Sequence, residues 1–172
     1  MKIKRVKDKG LLLSRLPAGQ VRLLKLIPMH ADPSGLPAAA EKLFQDAVHS
    51  PQDDQDYQAN VDWREHVVPD LEQQFAQQLD VVTEDLKNVR KSGGTAPGSE
   101  NFEFLIPYEH VDDWYGALNQ ARLVMQERHH FPELDSTEAL MKLLQSDDLR
   151  PYLTARFYIE IQSALLDLAM DK

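Results

Sequence analysis

Apolar residues recur along this chain in two rhythms. One is short and alternating at the N-terminus and again near residue 104; the other is helical almost everywhere else. Lys2–Val6 and Leu11–Ser14 flank the polar link Lys7-Asp8-Lys9-Gly10. That link ends in a residue free to take positive φ, so the pattern predicts a β-hairpin. Pro17 suits a first helical turn, and Val21, Leu24 and Ile27 give a short apolar stripe that Pro28 limits. A turn at Asp32-Pro33-Ser34-Gly35 leads to a second short helix opened by Pro37, with Leu43, Phe44, Ala47 and Val48 inward. Ser50–Asp56 is the most acidic stretch. It lacks the glycine and terminal glutamate of a calcium loop and reads as a solvated loop.

Asp62-Trp63-Arg64-Glu65 has the form of a helix start, Asp62 capping and Glu65 closing a capping box. Pro69 then restarts the helix. Leu71, Phe75, Leu79, Val82, Leu86 and Val89 follow at steps of three and four, the cleanest helical periodicity in the chain. Lys91–Ser99 reads as a glycine-rich flexible loop. Phe102–Ile106 reads as a strand that joins the hairpin in a three-stranded sheet.

The densest apolar run, Val111–His129, predicts a helix around which the rest is organised. Carboxylates (Glu109, Asp112, Asp113) sit at its start and basic groups (Arg128, His129, His130) at its end, as the helix dipole favours; Pro132 closes it. Val111, Trp114, Tyr115, Leu118, Ala121 and Met125 share a face. Ala117, Leu123 and Val124 spread apolarity further, which implies neighbours on several sides. Gly116, Ala117 and Ala121 permit close approach of another element. Asp135-Ser136-Thr137-Glu138 resembles a cap for a short helix with Leu140, Leu143 and Leu144 inward. Pro151 opens a last helix with Thr154, Phe157, Tyr158, Ile161, Leu165 and Leu168 on its inner face. The expected fold is α+β and mainly α: a single domain in which a helical bundle surrounds one central helix beside a small three-stranded sheet.

Composition then narrows the function. With 172 residues and 42% hydrophobic content the chain can build one ordinary core. It has no cysteine, which excludes disulfides, thiolate metal sites and cysteine nucleophiles. No stretch approaches a membrane span, and the charged N-terminus lacks a signal-peptide apolar core. A cytoplasmic location is expected. The net charge of −9 is uneven: residues 1–30 hold eight basic residues against Asp8 alone (+7), the remainder 11 basic and 27 acidic (−16). The basic end could face an acidic partner or the protein's own acidic surface, while the acidic bulk argues against duplex nucleic acid. G-x-S-x-G, Walker and G-x-G-x-x-G motifs are absent. Asp62 with His66, and Glu127 with His130, have helical spacing for a shared metal. Neither repeats as the patterns of di-iron bundles or zincins do, so no metal and no cofactor are assigned.

Arg122 is the anomaly of the central helix. It falls within the apolar face between Leu118 and Met125, where an unpaired guanidinium is costly. Two readings follow: an ion pair to Glu65, Glu72 or Glu160, or an anchor for an anionic or carboxylate-bearing ligand held bidentately. Asn119, one turn back, would add amide hydrogen bonds. The ligand or polar-network candidates are therefore Arg122, Asn119, Trp114, Glu65, Glu72, Asp62 and Trp63.

Three motifs carry a resemblance: Asp62-Trp63-Arg64-Glu65 with Pro69-Asp70-Leu71-Glu72; Trp114 with Ala117-Leu118-Asn119-Gln120-Ala121-Arg122-Leu123; and Tyr158-Ile159-Glu160-Ile161-Gln162. In their order they resemble an uncharacterised bacterial family, one of the numbered domains of unknown function, over most of the chain. At Glu127-Arg128-His129-His130 the chain departs from the glycine-containing helix end expected of that family. The resemblance implies a gene neighbourhood shared with a Clp protease adaptor, and hence a link to regulated proteolysis. The expected function is a noncatalytic protein-interaction or regulatory module with a protein partner. The alternative is an enzyme or small anionic-ligand binder using Arg122 and Asn119.

Overall fold

A computed structural model describes residues 1–93, 100–132 and 137–170. Strands β1 (Lys2–Val6) and β2 (Gly10–Pro17) form the expected hairpin. Two residues bend it: Asp8 at φ 58° and Gly10 at φ 128°. Glycine at position 10 is obligatory on a second count, because a Cβ there would lie 2.0 Å from the Ile106 carbonyl oxygen. Along β2, Leu11 and Leu13 turn inward. A register shift at Ser14-Arg15, with Arg15 at φ 53°, brings Leu16 inward as well.

The sheet has four strands, in the order β1-β2-β4-β3, all antiparallel. β4 (Asn101–Pro107) is the expected third strand. The extra one, β3 (Arg90–Gly93), takes the first residues of what the sequence presents as a loop. All four of its residues are exposed, so it has no alternating pattern to read. It is held by pairing Arg90 with Glu103 and Lys91 with Phe102. The rest of that loop, residues 94–99, lies outside the described residues, as do Asp135 and Ser136 of the anticipated cap.

Eight helices are described, of which the first, sixth and eighth pack most on the strands, over the face that carries Leu11, Leu13, Leu16, Phe104 and Ile106. They are α1 (Ala18–Lys25), α2 (Ile27–His30), α3 (Pro37–Leu43), α4 (Asp54–His66), α5 (Val68–Asp85), α6 (Val111–His129), α7 (Thr137–Leu144) and α8 (Leu149–Met170). Their boundaries follow local chemistry. Pro28 opens α2, which separates it from α1. α4 starts nine residues earlier than the Asp62 motif implies: Asp53 accepts from the backbone N–H of Gln55 and Asp56 at 3.0 Å. Two further carboxylates, Asp54 and Asp56, occupy its first turn. Part of the acidic stretch is therefore a cap, and Asp62–Glu65 lie near the end of the helix. Pro69 does restart the chain as α5.

α6 spans the range its sequence predicts. It packs on α8, α5, α2, α3 and β4, and so is buried from several sides. Its stop is not Pro132 but His130, in the left-handed conformation (φ 48°) with its N–H on the Gln126 carbonyl at 2.8 Å. On α8, Thr154, Phe157, Tyr158, Ile161, Leu165 and Leu168 are buried as expected. The short elements depart most: Leu140 and Leu144 of α7 are exposed while Leu143 is buried, Ala47 is exposed, and α3 ends before Phe44. Helices this short are set by whatever they rest on.

Candidate functional site

Burial on α6 is centred on Trp114, Ala117, Leu118, Gln120, Ala121, Val124 and Met125. This arc is turned toward α5 relative to the face that the sequence favours. Arg122 therefore sits at its border, half-buried, with Asn119, Leu123 and Gln126 on the open flank. Arg122 has no carboxylate partner among the described residues. Its Nη1 donates to Oε1 of Gln162, which is 3% exposed on α8. The amide of Gln162 is oriented in turn by its Nε2, 3.4 Å from the Tyr115 carbonyl. Glu65, Glu72 and Glu160, the acids expected to neutralise the guanidinium, are all exposed, and its bond goes to Gln162 instead. A neutral amide satisfies part of the donor set, and no described carboxylate compensates the positive charge.

That charge faces a cleft of about 390 Å³ between α6 and α8, lined by Arg122, Leu123, Gln126, Phe131, Tyr152, Arg156 and Ile159 among others. α8 contributes Tyr152, Ala155, Arg156 and Ile159, spaced so that one helical face lines the wall. Arg156 is exposed and, like Arg122, has no acidic partner among the described residues. Phe131 meets Tyr152 edge to face at 5.7 Å and stacks on His129 at 5.4 Å. His129 in turn contacts Asp148 at 2.9 Å. The site thus combines two guanidinium groups with an aromatic and aliphatic wall.

The other sequence candidates go elsewhere. Asn119 is half-buried but does not line the cleft. Asp62 accepts from Gln58 at 2.7 Å on the surface of α4, and Glu65 is exposed. Trp63 is half-buried with its Nε1 enclosed and unpartnered. Glu72 lines a separate apolar groove with Leu43, Phe44, Phe75 and Gln120. Glu127 is engaged by Lys42 at 2.5 Å, and no group of three potential metal ligands occurs among the described residues.

Trp114 belongs to a network that the sequence reading missed. Its indole N–H donates to Asp85 Oδ2 at 2.8 Å, and His110 Nδ1 lies 3.0 Å from both oxygens of the same carboxylate. Asp85 is 6% exposed. A second buried pair, Gln120 Nε2 to Gln78 Oε1 at 2.8 Å, ties α6 to α5 where Gly116 leaves room for Gln78. A third unites Tyr158 with two partners. Its hydroxyl donates to the Leu23 carbonyl at 2.7 Å and so accepts from His30 Nδ1–H at 2.9 Å. Burial pushes the Tyr158 pKa up. Burial, then the charges of Arg128 and His129, hold His30 below the usual histidine range.

A signal existed for some of these. Asp85 interrupts the Val82–Leu86 stripe of α5, and Gln162 interrupts the apolar face of α8. Both are polar residues at core positions of strongly periodic helices, the same argument that singled out Arg122. Arg156, Phe131 and Tyr152 carry no such mark, since each is ordinary on its own element.

These features define a mainly helical α+β protein with an amphipathic, cationic cleft between its two longest helices. The chain belongs to the family described as a domain of unknown function (DUF2017), whose model matches residues 8–169. No curated protein and no solved structure matches it. Among the described residues, no helix is long and apolar enough to cross a membrane.

Proposed function

We propose that this protein is a noncatalytic regulatory binding module of the cytoplasm, folded as a single domain, whose α6–α8 cleft holds an anionic ligand. One observation carries the reading. In a chain with 28 acidic residues, a half-buried arginine at the cleft is paired with a neutral glutamine, and a second arginine, without an acidic partner among the described residues, stands on the same wall. A purely structural arginine on a helix border would be expected to take a carboxylate, which is abundant here. An acceptor that positions the guanidinium without neutralising it suits a binding role. Coupling to a protein partner and to regulated proteolysis fits a module of this kind. The exposed Leu140, Met141 and Leu144 on α7 favour a partner surface as a second feature.

Titration of the nitrogen-15-labelled protein with acetate, phosphate and citrate tests the proposal. At least one of these anions is expected to shift the side-chain resonances of Arg122 and Arg156. Gln162→Glu supplies a carboxylate to Arg122 in place of the amide. Loss of one charge-assisted contact, worth about 1.5–3 kcal/mol, weakens binding about tenfold to a hundredfold. Anions that leave both arginines unmoved up to high millimolar concentration would overturn the proposal.

A further inference from the structure

We infer that the anion is the free C-terminal carboxylate of a polypeptide whose last side chain is large and apolar. This rests on the anion-binding reading of the cleft and adds the chemistry of the ligand. α6 and α8 run antiparallel, since Arg122 meets Gln162 while His129 meets Asp148 at the other end of the pair. The lining is therefore ordered. Arg122 stands beside Ile159, Arg156 and Gln126 come next, and Phe131 with Tyr152 closes the far end.

Each part of that order corresponds to one part of a peptide terminus. Among the described residues the guanidinium of Arg122 spends one donor, on Gln162, and its other donors are open to a carboxylate. Arg156 adds a second positive charge on the solvent side. Leu123, Phe131, Tyr152 and Ile159 offer apolar surface that inorganic phosphate or a small dicarboxylate would leave unused. The Gln126 Nε2 donates to the Phe131 carbonyl at 3.2 Å, which turns its Oε1 free to accept the amide N–H of the terminal residue. At about 390 Å³ the cleft lies at the small end of the roughly 300–1,000 Å³ of ordinary ligand pockets. It has room for a chain end, and the exposure of Gln126 and Arg156 leaves a way out for the preceding residues.

The test is calorimetric titration of the full chain with four probes: N-acetyl-L-phenylalanine, its primary amide, N-acetylglycine and phenylacetate. N-acetyl-L-phenylalanine is expected to bind. The amide lacks the carboxylate and N-acetylglycine lacks the side chain, and each is expected to bind about tenfold more weakly or worse. Phenylacetate, without the amide N–H, is expected to bind several-fold more weakly. Arg122→Gln should abolish binding, and Gln162→Glu, which keeps a hydrogen-bonding group at the contact, should weaken it about tenfold to a hundredfold with the thermal melt preserved. Equal binding of acid and amide would overturn the inference, as would phenylacetate binding as tightly as the acetylated amino acid. Phosphate or citrate shifting Arg122 while N-acetyl-L-phenylalanine does not bind would sink this inference and leave the anion-binding proposal standing. If no anion binds, both fall.

Discussion

Asp85 is the polar group on which the packing of α6 against α5 depends most. Its carboxylate is 6% exposed, and it takes the indole N–H of Trp114, a side chain with no exposed surface. Replacing Asp85 by alanine removes this acceptor and leaves the indole N–H in a dry core. A hydrogen bond to a charged acceptor contributes about 1.5–3 kcal/mol net, and an orphaned buried donor costs about 1–3 kcal/mol. Loss of the contact to His110 and the small cavity add to this, so Asp85→Ala should cost about 3–5 kcal/mol in all. Trp114→Phe deletes the donor and some ring volume and should cost about 2–4 kcal/mol. The two losses share one interaction, so they should not add. A double-mutant cycle read by urea unfolding should give a coupling energy of about 2 kcal/mol, equivalent to about 4–8 °C in melting temperature for a chain of this size. Asp85→Asn, which retains a carbonyl for the indole, should recover more than half of the loss. A coupling below about 0.5 kcal/mol would refute the claim that the carboxylate is held for Trp114.

Three further expectations follow from local geometry. Gly116→Ala gains up to about 1 kcal/mol of helix propensity, but its Cβ would lie 2.3 Å from Oε1 of Gln78. That displaces the buried Gln78–Gln120 bond, so unfolding by urea should show a net loss of about 1–2 kcal/mol, and an unchanged or higher midpoint would contradict the packing. Gly10→Ala meets backbone rather than a flexible side chain, at 2.0 Å from the Ile106 oxygen. It should cost more than about 3 kcal/mol and yield little soluble protein, whereas Gly19→Ala, with open space around it, should be well tolerated. For pH, the His30 pKa is lowered by burial and then by Arg128 and His129. The unfolded chain therefore binds this proton more readily, and the contribution of His30 is intact above the ordinary histidine pKa and is lost as pH falls below it. Unfolding measured from pH 8 to pH 5 should show this slope, and His30→Gln should flatten it. A steeper slope in the variant would reverse the assignment.

The sequence by itself determined most of the scaffold. The extent of α6, the inner face of α8, the hairpin, β4 and the restart of the chain at Pro69 are all written in local terms: apolar spacing, proline, glycine and the sign of charge at helix ends. Where local terms are weak, tertiary contacts decided. β3 is polar and wholly exposed, and it exists because β4 offers it a partner. The start of α4 depended on which of several aspartates meets the first N–H groups, and Asp53 prevailed. The candidate site divides in the same way. Arg122 stood out because a guanidinium on an apolar helix must be answered by something, and its position next to α8 follows from that need. That the answer is the amide of Gln162, and that Arg156, Phe131 and Tyr152 line one cleft with Arg122, is a product of how α6 is rotated against α5 and α8. Helical periodicity fixes which residues share a stripe. Only the packing of neighbouring helices fixes which stripe is sealed and which remains open to a ligand.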